Sequence, residues 1–104
     1  MRNVGLICEY DGTNFSGWQL QSHRLDRTVQ GEIEKGLKKI LGENVRLIGA
    51  GRTDAGVHAI GQTGNFRTRS KISLTKIGSG LNGVLPTDIR IKSAFEAPED
   101  FHSR

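Results

Sequence analysis

Residues Gly49 to Ala59 read GAGRTDAGVHA, and Asp54 is the one carboxylate in that glycine-rich run. A turn that only reverses the chain is satisfied by Asn-Gly or Asp-Gly, because those residues tolerate positive φ or bond their own backbone. Here Arg52 and Thr53 precede the acid, and Gly51 and Gly56 leave room for a substrate to come close. Arg52 can keep the carboxylate ionised by proximity and can also contact a phosphate. An ionised, accessible carboxylate is a competent covalent nucleophile. The plain alternative is a turn acid that caps local backbone N–H groups.

Rival chemistries fit the run less well. Gly49-Ala50-Gly51 begins like a dinucleotide fingerprint, yet Asp54 holds the place of the third glycine. No helical pattern opens there, and a carboxylate repels pyrophosphate. Asp54 and His58 have the spacing of a metal pair only on a helix, which the two glycines disfavour. His58 therefore reads as a structural hydrogen-bonding residue. No second acid with a general-acid partner lies nearby, which argues against glycosidase chemistry with two carboxylates.

The elements that must hold this run follow from periodicity. Asn3 to Tyr10 alternates, with Val4, Leu6, Cys8 and Tyr10 on one face, so it predicts a strand that stops at Asp11-Gly12. TNFSGWQLQSHRLDR has no period and reads as a long, functional loop. Within it, Phe15 and Trp18 can stack on planar rings of a ligand or pin the loop to the core, and Gln19 and Gln21 are weaker candidates for ligand hydrogen bonds. Thr28 is a candidate N-cap for a helix carrying Val29, Ile33, Leu37, Ile40 and Leu41, with Gly42 as its stop and Glu34–Lys38 as a supporting pair.

Val45 to Ile48 then reads as a strand running into the Asp54 turn, and Gly61 to Arg67 as the next strand. Ser73 can cap a second helix with a stripe of Leu74, Ile77, Leu81, Val84 and Leu85 that ends at Pro86. Gly78, Gly80 and Gly83 weaken that helix unless they allow close packing against the sheet. Ile89, Ile91, Ser93 and Phe95 alternate as a last strand. The order strand, helix, strand, strand, helix, strand predicts an α+β fold of the ferredoxin-like, split βαβ type: an antiparallel sheet with two helices on one face.

The chain's 104 residues fit one domain. Fifteen Lys and Arg against eleven Asp and Glu give a net charge of +4, a balance that favours a polyanionic partner or serves plain surface solubility. Arg67, Arg69 and Lys71 follow the third strand, where an exposed cationic row could meet phosphates. The single cysteine, Cys8, has no disulfide partner or CxxC companion and reads as buried. With no signal-peptide pattern and no membrane-length apolar run, the expectation is a cytoplasmic protein.

Five ordered blocks carry a resemblance. YDGTNFSGWQLQ, RTVQGEIE, GRTDAGVHA, LPTDIRI and DFHSR together resemble the N-terminal half of the tRNA pseudouridine synthase A family. The resemblance implies isomerisation of uridine to pseudouridine in the anticodon stem-loop of tRNA, at the family's target positions 38–40, with no cofactor and no metal. Asp54 matches the family's catalytic aspartate, which acts through a covalent adduct at either the uracil ring or the ribose. Arg52 matches the arginine that contacts tRNA and helps hold the flipped nucleotide, and Phe101, His102 and Arg104 match a tRNA-contacting segment, with Ser103 where alanine is usual. Family members continue into a second α/β half that bears a tyrosine packing on the target base, and they form homodimers.

The expectation is thus an N-terminal catalytic-aspartate domain spanning residues 1–104, with the C-terminal domain outside this chain. The alternative is a tRNA-binding or subunit-association module of the same fold that does not catalyse.

Overall fold

The computed structural model of the chain describes residues 1–11, 28–49 and 59–98, with backbone alone for 59–61. Strand β1 (Arg2–Tyr10) is central and pairs antiparallel with both β3 (Ala59–Thr68) and β4 (Ile89–Glu96). A short β2 (Ile48–Gly49) pairs with the far side of β3, so the sheet order is β2-β3-β1-β4. Helices α1 (Val29–Leu41) and α2 (Leu74–Val84) fill the two crossovers. This is the α+β arrangement expected from the element order, consistent with a split βαβ fold of ferredoxin-like type.

The alternation of β1 decides where the helices sit. Its even-numbered residues Val4, Leu6, Cys8 and Tyr10 share one buried core with Val29, Ile33 and Leu37 of α1 and with Ile77 and Leu81 of α2. Successive strand residues point to opposite faces, so both helices cover the same face. The helices also touch each other through glycine. A Cβ on Gly36 would lie 3.0 Å from Leu81 Cδ2, and one on Gly80 would lie 3.3 Å from Ile40 Cγ2. Gly80 therefore serves helix–helix contact rather than packing on the sheet, and Gly78 and Gly83 face open space.

Both helices start and stop where their caps require. Thr28 Oγ1 accepts from Gly31 N, and Gly42 ends α1 in the left-handed region at φ 73°. Ser73 Oγ accepts from Lys76 N at the start of α2.

Two strands depart from the sequence expectation. Val45 to Ile48 predicted a strand, but the ladder contains only Ile48 and Gly49. The reason is local: Leu47 N donates to Glu34 Oε2 at 2.8 Å, and Leu47 O accepts from Gln30 Nε2 at 2.9 Å. Side chains of α1 thus occupy the backbone groups that a ladder would need, and the Glu34 carboxylate is engaged there as well as being a candidate partner for Lys38.

In β4, Ile89, Ile91, Ser93 and Phe95 do not share a face. The register shifts between Ile7 and Cys8, so that Cys8 is opposite Ile91 while Ile7 is opposite Ser93. This irregularity leaves Lys92 extra, and it sends Ile89 and Ile91 toward the helices and Ser93 and Phe95 to the other face.

Candidate functional site

Most residues singled out by sequence lie outside the described residues: Gly51, Arg52, Thr53, Asp54, Gly56 and His58, the loop residues Phe15, Trp18, Gln19 and Gln21, and the segment Phe101, His102, Ser103 and Arg104. The structure describes the frame from which these segments depart. Gly49, the last described residue before the Asp54 run, is opposite Gly64, which is in turn opposite Leu6 in the middle of β1. Ala59, where description resumes, is opposite Tyr10. Asp11, at the same end of the sheet, donates its N–H to Asp88 O at 3.0 Å.

The approach to the Asp54 run is held from the helix layer. Gln30 and Glu34, one turn apart on α1, grip Leu47, and Gln30 Nε2 also donates to Glu34 Oε2 at 3.1 Å. Gly64 lets this corner close, since a Cβ there would lie 3.1 Å from Leu47 Cδ1 and 3.2 Å from Ile48 O. The motif RTVQGEIE contains both gripping side chains, which the apolar stripe of the helix leaves out. Their i,i+4 spacing is the signal that could have paired them.

The cationic row is elsewhere. Thr68 is opposite Arg2, four residues along β3 from Gly64, a separation of about 13 Å at strand rise. Arg69 and Lys71 are exposed there, and Arg67 is half-buried. The Thr68 hydroxyl and the Arg69 N–H both donate to Glu43 Oε1. Arg2 Nη1 donates to the carbonyls of Ser70 (3.1 Å) and Ile72 (2.6 Å), on either side of Lys71, while Arg2 Nε bonds Glu96. Lys71 and Arg69 are thus presented on a fixed segment at the Arg2 end of the sheet, away from Gly49 and Ala59.

Cys8 is not placed to act as a nucleophile. It is buried beneath the helices with its thiol against Gln62 O, and burial pushes its pKa up to about 12, so the group stays a neutral thiol. Among the described residues, no helix is long and apolar enough to cross a membrane.

Comparison with known proteins bears on the undescribed segments as well. The family model described as tRNA pseudouridine synthase matches residues 6–104. A tRNA pseudouridine synthase A from Caldicellulosiruptor saccharolyticus is 57% identical over 104 residues, which is 100% of this chain and 42% of the relative. Relatives of the same name from Thermoanaerobacter sp. (strain X514) and Roseiflexus castenholzii are 50% and 54% identical, again over the whole chain, which covers 42% and 38% of their lengths. The chain spans about two fifths of the length of the curated relatives it matches. With a family match that runs through the helical frame, the Asp54 run and the last residue, the chain belongs to the tRNA pseudouridine synthase family.

Proposed function

We propose that this chain is the catalytic-aspartate domain of an enzyme that isomerises uridine to pseudouridine in the anticodon stem-loop of tRNA, at positions 38–40, with Asp54 as the nucleophile. The observation that carries this reading is the family match over residues 6–104, which includes the whole GRTDAGVHA run. The Asp54 carboxylate forms a covalent bond to either the uracil ring or the ribose, and the bond between N1 and the sugar breaks. The base turns and rejoins the sugar through C5. C5 gives up its proton, N1 is protonated, and Asp54 is released, so substrate and product are isomers and no co-reactant is consumed.

Arg52 contacts the tRNA beside Asp54 and holds the flipped uridine, offsetting part of the few kcal/mol that unstacking costs. Phe101, His102, Ser103 and Arg104 supply further contacts, with Lys71 and Arg69 at the Arg2 end of the sheet meeting backbone phosphates. The relatives' greater length supports a second α/β half that completes the cleft, and the assembled enzyme is a cytoplasmic homodimer.

A second reading, in which the fold binds tRNA without isomerising it, is favoured by the exposure of Arg69 and Lys71 on a segment fixed by Arg2. Both readings require phosphate contacts. Binding of unmodified tRNA measured across a salt series should weaken linearly in a log–log plot, as counterions are released. Binding indifferent to salt would exclude both and leave a subunit-association role.

A further inference from the structure

The face of the sheet opposite the helices carries two polar side chains that are almost fully buried, Asn3 at 3% and Asn65 at 1% exposure. A buried amide is costly unless its donors and acceptors are engaged. Here they form a directed chain from β3 through β1 to the segment that follows β4. Asn65 Nδ2 of β3 donates to Asn3 Oδ1 of β1 at 3.2 Å, and Asn3 Nδ2 donates to Pro98 O, just beyond β4, at 2.9 Å. The Asn3 backbone joins in, its carbonyl accepting from Ala97 N at 2.9 Å. Each amide donates toward the next acceptor, so the links polarise one another in the same sense.

The two ends of this chain are informative. Asn65 is opposite Ile48, one residue before Gly49, from which the polypeptide leaves toward Arg52 and Asp54. Ala97 and Pro98 are where it leaves β4 toward Phe101–Arg104. The ring of Phe95 lies over Gly5, which is directly opposite Asn65 and two residues from Asn3 on the same face. An apolar pair would fill the same space but would not fix the direction in which residues 97–98 depart.

We propose that Asn3 and Asn65 are positioning residues, which lock the departure of the C-terminal tRNA-contacting segment to the strand pair that leads into the Asp54 run. What the two segments do rests on the synthase reading; the coupling between their departure points does not.

The test has two readouts on this chain. Without RNA, Asn3→Ala should speed hydrogen exchange of the Ala97 amide by at least about tenfold, while the Leu6 amide keeps its protection. Unchanged exchange at Ala97 would overturn the proposal. Should Asn3→Ala fail to fold, Asn65→Ala removes the donor to Asn3 and leaves the Pro98 link, with the same expectation at reduced size.

With unmodified tRNA, a double-mutant cycle pairs Asn3→Ala with Arg104→Ala. Positioning predicts that Arg104→Ala weakens binding by a clearly smaller factor in the Asn3→Ala background than in the parent, an interaction that a merely structural Asn3 would not produce. Strictly multiplicative losses would overturn the proposal. An Arg104→Ala variant that binds like the parent would count against the tRNA-contact reading of that segment, and the Ala97 exchange rate would still decide the positioning role.

Discussion

The ring of Phe95 lies directly over Gly5, so closely that a Cβ added to Gly5 would sit 2.1 Å from Phe95 Cζ and 2.4 Å from Cε2. The two residues are opposite each other across the β1–β4 ladder, on the face away from the helices. Here glycine is needed for space: the strand must be flat for the aromatic ring to lie on it.

Gly5→Ala therefore has to expel the ring, and overpacking of this kind costs about 1–3 kcal/mol. Thermal or urea unfolding should show that loss for Gly5→Ala. In the Phe95→Ala background the same substitution should cost far less, because the obstacle has gone. Equal losses in both backgrounds would mean that the ring is free to swing aside.

The grip of α1 on Leu47 makes a second prediction. Gln30→Ala leaves the buried Leu47 carbonyl without its side-chain donor, at a cost of about 1–3 kcal/mol. Glu34→Gln keeps an acceptor for Leu47 N and should cost less than Glu34→Ala. Hydrogen exchange read at the amides of Leu47 and Gly49 should rise in Gln30→Ala before any change in the centre of β1. If exchange rises uniformly, the grip is ordinary packing and does not fix β2.

Cys8 gives a prediction in pH. Its thiol ionises near 9.0 when unhindered and near 12 in the fold, because burial penalises the thiolate. Between those values the unfolded chain loses its proton and the native chain keeps it, so the native state binds more protons and stability falls as pH rises. Below pH 9 the group contributes no slope. The stability difference between the parent and Cys8→Ala should be flat up to about pH 9 and then narrow by at most about 1.4 kcal/mol per pH unit. A difference that stays constant through pH 11 would show that water reaches the thiol.

Sequence and structure agree where one local signal controls the outcome. Thr28, Ser73 and Gly42 act through their own side chains or backbone, so both helices were legible from their caps and apolar stripes. They diverge where a distant group intervenes. Leu47 falls outside the ladder because side chains 13 and 17 residues earlier take its backbone groups. The face change in β4 comes from one register shift against β1, which leaves the apolar alternation of β4 unaltered and so hides in its sequence. Nothing in the sequence pairs Asn3 with Asn65, 62 residues apart, until the sheet brings them together. For the candidate site, the ordered blocks made the family legible, while Arg52 and Asp54 lie outside the described residues; Gln30 and Glu34, which hold the approach to that run, carry no chemical signature of their own.

The most direct measurement of the central claim is pseudouridine formation in unmodified tRNA, read by mass spectrometry. It compares the parent sequence with Asp54→Asn, both alone and joined to the C-terminal portion of the Caldicellulosiruptor saccharolyticus relative. The account predicts product at the anticodon stem-loop uridines with the joined protein, a loss on the order of a thousandfold or more in Asp54→Asn, and nearly unchanged tRNA affinity. Turnover that survives Asp54→Asn, or that disappears only because the tRNA no longer binds, would contradict the assignment of Asp54 as the nucleophile.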